Sequence, residues 1–103
     1  MSLRQDLEAR LTGLPGLTRR PSRHGDSQSY FVADREVAHF HGDGRMDVRL
    51  TRERIRQMKA ARELDARVVT RGPSADWAAI PIESPSDVAL ALQLVDEAVR
   101  ANS

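Results

Sequence analysis

The sequence predicts an α+β fold: a single domain in which a twisted antiparallel meander carries three helices, in the order α-β-β-β-α-β-β-α. Three observations lead to it. Apolar residues recur at three- and four-residue spacing near both ends and once in the middle, the period drops to two between Gln28 and Leu50, and the strand–helix alternation of a doubly wound parallel sheet is absent. The 103 residues suffice for one core, and neither an internal repeat nor a Gly/Ser/Pro-rich tract divides them.

Ser2 is placed to cap a first helix, in which Leu3, Leu7 and Leu11 form one stripe and which Gly13 and Pro15-Gly16 end. Arg19 to Arg23, interrupted by Pro21, can only be an edge strand or an extended loop, which leaves room for one further short strand before the meander. His24-Gly25-Asp26-Ser27 reads as a turn. The meander follows: Ser-Tyr-Phe-Val-Ala, Glu-Val-Ala-His-Phe-His and Arg-Met-Asp-Val-Arg-Leu. Thr51 caps a second helix with Ile55, Met58, Ala61 and Leu64 inward and arginines outward. Arg67 to Thr70 and Trp77 to Ile82 are two more strands across a Gly72-Pro73-Ser74 break, with Trp77 expected to pack a helix. A serine cap with Pro85 in the first turn opens the last helix, whose Val88, Ala91, Leu92, Leu94, Val95 and Val99 form the broadest apolar stripe.

Parity sets the register of the hairpins. With Gly42-Asp43-Gly44 as a three-residue loop, Phe40 faces Met46, His39 faces Asp47 and Ala38 faces Val48, so apolar meets apolar, and Gly44 is expected to be left-handed. A two-residue Asp34-Arg35 turn in the first hairpin would pair Phe31 with Ala38 and Tyr30 with His39. One sheet face then carries Phe31, Ala38, Phe40, Met46, Val48 and Leu50; the other carries Tyr30, Val32, Val37, His39, His41, Asp47 and Arg49.

Composition excludes several classes. Without cysteine there is no disulfide framework, thiolate metal site or cysteine nucleophile. The longest mostly apolar stretch, Val88 to Val95, is far below the ~20 residues of a membrane span, and the N-terminus does not read as a signal peptide, so a cytoplasmic protein is expected. Net charge is +1, yet Leu17 to Gly72 holds 13 basic against 8 acidic residues, while Glu83 to Ser103 holds four acids and only Arg100. Such polarity bears on association more than on fold.

His39-Phe40-His41 is the most pointed constellation, because residues i and i+2 of a strand project from one face. Two imidazoles with a carboxylate from Asp43 or Asp47, or with His24, are a donor set for zinc or non-haem iron. The plainer reading needs no cofactor: a polar sheet face on which His39 pairs with Asp47. Tyr30, His39, His41, Asp47 and Arg49 together would suit a small ligand, a protein partner or a second copy of the chain. Arg19, Arg20 and Arg23, with Arg49, Arg52, Arg54 and Arg56, are the residues a nucleic-acid-binding alternative would use, although only four aromatics accompany them. Gly42-Asp43-Gly44 is a hairpin loop rather than a phosphate loop, since a strand follows it. No Gly-x-Ser-x-Gly elbow signals a hydrolase.

Leu14-Pro15-Gly16, the run from Glu36 to Gly44 leading into Met46-Asp47-Val48-Arg49-Leu50, Trp77, and Ser84 to Ala98 together resemble the small bacterial proteins of the luciferase-domain family, a likeness that extends from Leu14 onward. Its most specific piece is the His-x-His-Gly-Asp-Gly hairpin. The resemblance implies a fold and no light-emitting reaction, and no flavin or nucleotide signature accompanies it. A looser similarity of element order to the MmcQ/YjbR family implies the same compact α+β architecture.

Overall fold

A computed structural model describes residues 2–21 and 28–103; the turn expected at 24–27, with His24, and Arg23 lie outside the described residues. The elements are α1 (Leu3–Leu11), β1 (Thr18–Pro21), β2 (Gln28–Val32), β3 (Arg35–Phe40), β4 (Arg45–Arg49), α2 (Arg52–Ala60), β5 (Val69–Thr70), β6 (Trp77–Pro81) and α3 (Pro85–Ala101). The α+β class holds, and the edge strand for which the sequence left room is present as β1. Six strands form one antiparallel sheet in the order β1-β2-β3-β4-β6-β5, so β6 inserts beside β4 and leaves the two-residue β5 on the edge.

Local chemistry sets the helix ends. Ser2 and Gln5 form a reciprocal capping box on α1, the Thr51 hydroxyl accepts from Arg54 N–H on α2, and Ser84 caps α3 with Pro85 in the first turn. Leu14-Pro15-Gly16-Leu17 closes on a Leu17 N–H to Leu14 carbonyl bond, and Gly16 has φ +81°, the positive φ that the third position of a type II turn demands. The core lies between the sheet and the helices. Leu7 and Leu11, Ile55 and Met58, and Val88, Ala91, Leu94, Val95 and Ala98 meet Met46, Val48, Ala78 and Ile80 of the sheet. Leu64, expected on the α2 stripe, lies beyond the end of that helix but still packs against the core.

The second hairpin has the register that parity predicts: Ala38 opposite Val48, His39 opposite Asp47, Phe40 opposite Met46. Gly42 rather than Gly44 takes the left-handed conformation, with φ +66°. The first hairpin differs. Its turn is Ala33-Asp34, with Ala33 at φ 53°, and Tyr30 pairs with Ala38 while Phe31 pairs with Glu36. Val37 is therefore an extra residue on β3, a bulge, and Val37 and Ala38 both turn into the core, each fully buried. Tyr30 follows them inward and meets the Phe40 ring edge-on, with centroids 6.5 Å apart. Phe31 goes to the other face, where the Arg20 guanidinium covers its ring at 4.3 Å.

Candidate functional site on the open sheet face

The helices cover one side of the sheet, so functional groups can gather on the other. There, Arg20, Ser29, His39, Asp47, Ala79 and Val69 form one transverse row, each the cross-strand partner of the next. His39 and Asp47 stand at its centre, on strands paired on both sides. The Nε2 of His39 lies 3.2 Å from Asp47 Oδ2, and the Nε2 of His41 lies 3.7 Å from the same oxygen. Asp47 is largely covered and His41 is the more exposed of the two imidazoles.

The bulge supplies a fourth group. In an even pleat, residues three apart on a strand face opposite ways, but the two consecutive inward residues Val37 and Ala38 return Glu36 to the face of His39. His39 Nδ1 hydrogen-bonds Glu36 Oε1 at 2.9 Å. Arg45, two residues before Asp47 on β4, flanks the far side: its Nε is 3.2 Å from Oδ1 and its Nη2 3.5 Å from Oδ2. The His39 imidazole is thus held between two carboxylates, one of them shared with a guanidinium.

These groups border a groove of about 540 Å³, within the range usual for small-ligand sites, that continues over Val69, Arg71, Asp76, Trp77 and Ala79. Trp77, the only tryptophan of the chain, does not pack a helix as expected; it pairs with Arg49 on the open face, and its ring lies 5.1 Å from that of His39. Asp76 receives Arg52 N–H at 2.8 Å and pairs with Arg49 at 3.5 Å, whereas Arg71 is exposed and has no partner among the described residues. A larger cavity, about 800 Å³, runs from the Ala33-Asp34 turn to the C-terminal Ala101–Ser103 segment. It is lined by Asp34, Arg35, Glu36, Arg49, Trp77 and Asn102 but by neither imidazole.

The residues singled out from the sequence divide accordingly. His39, His41 and Asp47 come together, with Arg49 at the margin beside Trp77. Tyr30 does not join them: the register of the first hairpin puts it in the core, where burial raises its phenol pKa. Asp43 does not join them either, being almost wholly exposed in the loop and 3.4 Å from Arg4. The arginines of the nucleic-acid alternative are dispersed. Arg19 pairs with Glu8 of α1, Arg20 covers Phe31 on the opposite face, and Arg54 makes a two-pronged pair with Glu97 of α3, while Arg52 and Arg56 are separate. Glu36 and Arg45 were not foreseen. Only a bulge brings the first into reach, and the second was legible as the residue opposite His41 across the loop.

The family model for the luciferase domain matches residues 34–98, well over half of the chain, and that span contains Glu36, His39, His41, Arg45, Asp47 and Trp77. No curated protein and no solved structure matches the chain.

Proposed function

The chain belongs to the luciferase-domain family, and from that premise we propose that it is a non-catalytic binding module that takes a small, flat ligand with an anionic group into the groove over His39, His41, Asp47 and Trp77. The observation that carries the reading is the convergence of both imidazoles, the lone tryptophan and Asp47 on one concavity of about 540 Å³, on the face that the helices leave open. Trp77 and Val69 supply apolar wall, and Arg71, without a partner among the described residues, supplies a cation at the rim. Binding suits the site better than catalysis. Nucleophilic catalysis needs a hydroxyl hydrogen-bonded to its base, and Ser29, the serine opposite His39, is fully buried with its Oγ unpartnered among the described residues.

Because the chain has a single tryptophan, the site carries its own reporter. Benzoate, with benzamide as its uncharged control, titrated into ¹⁵N-labelled protein in EDTA should bind at millimolar strength, as its size allows, and move the one indole N–H resonance with the amides of His39, His41, Asp47 and the 71–79 segment. Arg71→Ala should weaken benzoate roughly five-fold, the worth of about 1 kcal/mol, and leave benzamide unchanged. Shifts confined to residues 32–36 and 101–103, or no saturable shift, would overturn the reading.

A further inference from the structure

We propose that His39, His41 and Asp47 bind one divalent transition-metal ion of the zinc or ferrous class, with Glu36 as the residue that orients His39 and Arg45 as an internal competitor for the site. This deepens the binding reading above and rests on it, since the free coordination positions would open into the same groove.

Three independent features point to a cation at this spot. The first is the donor set: two imidazole nitrogens and a carboxylate oxygen, all within 4.8 Å of one another, are a recurring ligand combination for these ions. The second is spacing. Donors about 2.1 Å from a common ion lie about 3.0 Å apart at octahedral angles and about 3.4 Å apart at tetrahedral ones; of the Nε2–Oδ2 separations, 3.2 Å falls between those values and 3.7 Å lies slightly above them. Side-chain adjustments of a few tenths of an ångström suffice to bring both to a metal.

The third is proton bookkeeping at His39. A carboxylate only accepts, so the 2.9 Å bond to Glu36 places a hydrogen on Nδ1. In the neutral ring, Nε2 then directs a lone pair toward Asp47 Oδ2 at 3.2 Å, an acceptor facing an acceptor. A metal ion between the two would satisfy both acceptors. The carboxylate on the distal nitrogen is also the second-shell arrangement that fixes the tautomer and raises the donor strength of a metal-bound histidine. Arg45 already partly neutralises Asp47 from the side, so an ion must take Oδ2 from the 3.5 Å Nη2 contact. Arg45 is more than a third exposed and can swing out.

The experiment uses tag-free full-length protein stripped with EDTA and exchanged into metal-free buffer. Zn²⁺ is titrated by calorimetry, and Co²⁺ is followed by its visible d–d bands and by Trp77 emission. The expected result is one ion per chain. Affinity should fall at least 100-fold in His41→Ala and in Asp47→Asn, fall 10- to 100-fold in Glu36→Gln, stay unchanged in Asp43→Asn and rise several-fold in Arg45→Gln. Thermal melts of each variant separate loss of a ligand from loss of fold. Absence of stoichiometric binding, or binding that survives His41→Ala with Asp47→Asn, overturns the proposal. Benzoate binding in EDTA is read separately, so the groove reading can stand while the metal proposal falls. If Zn²⁺ binds and benzoate binds neither form, the ligand class has failed and the metal site has not.

Discussion

Truncating Tyr30 removes a fully enclosed ring that touches the edge of Phe40, so Tyr30→Ala should cost about 3–5 kcal/mol in urea unfolding, as large-to-small aromatic changes in cores do. It should leave the groove's ligands untouched. Were Tyr30 on the open face, as strict alternation from His39 would put it, the cost would stay within the range of a partly exposed position and benzoate binding would suffer instead. Its neighbour Phe31 is buried too, but beneath Arg20 rather than beneath a helix. Ser29, Tyr30 and Phe31 are all buried, and the two adjacent aromatics do not by themselves tell the two faces of β2 apart. The same limit separates Asp43 from Asp47. Both lie within eight residues of the two histidines, but only Asp47 sits on a strand directly opposite His39, whereas Asp43 occupies the loop and turns to Arg4.

The bulge in β3 decides more of the site than any turn does. It brings Val37 inward and Glu36 beneath His39 in one step, so Val37→Ala tests it: two carbons lost from a fully buried site should cost about 2–3 kcal/mol, at roughly 0.8 kcal/mol per methylene plus a cavity. A loss within about 0.5 kcal/mol would return Val37 to the surface and dissolve the Glu36–His39 bond with it. The second hairpin was legible because its strands alternate cleanly and its loop length admits only one register that keeps Phe40, Met46 and Val48 together. The first was not, because a bulge adds a residue without changing composition, and nothing in Glu36-Val37-Ala38-His39 announces it. Turn chemistry was more readable where one residue type was obligatory. Gly16, at φ +81° with room for a Cβ only against Val99 at 3.4 Å, should lose about 1–2 kcal/mol as Gly16→Ala, checked by the thermal midpoint. The caps Ser2, Thr51 and Ser84 were legible for the same reason: a short side-chain oxygen ahead of an apolar period has one local use.

Across the whole molecule, much of the acidic tail seen in the sequence is engaged by arginines in internal contacts. Arg54 of α2 grips Glu97, Arg67 bridges Asp65 and Asp87, and Arg100 pairs with Asp96, so three of the four acids of the C-terminal segment are engaged. Arg67 does the most. Its Nε and Nη2 hydrogen-bond the two oxygens of Asp65 at 3.0 Å each, while Nη1 reaches Asp87 and Ser86 at 2.8 Å, tying the segment after α2 to the start of α3. These bonds act on the carboxyls. The Arg67 hydrogen bonds hold Asp65 down at about 2, the Glu83 backbone N–H and then Arg67 lower Asp87, and Arg54 lowers Glu97. Each folded carboxyl therefore binds its proton less readily than its unfolded counterpart. Below the ordinary carboxylate range near 4, the unfolded chain takes up more protons, so the stability these contacts contribute is complete above that range and is lost as pH falls toward about 2. Urea unfolding from pH 6 to pH 2.5 should show that decline, and Arg67→Gln should start lower at pH 6 yet fall less steeply, because Asp65 then loses the side-chain hydrogen bonds that lower it most and keeps the backbone N–H of residue 67. Asp87 keeps its Glu83 N–H and Glu97 keeps Arg54, so a residual slope should persist in the variant. Parallel curves for the two proteins would mean that Arg67 does not depress these carboxyls, and the clamp between the post-α2 segment and α3 would have to be sought in apolar packing alone.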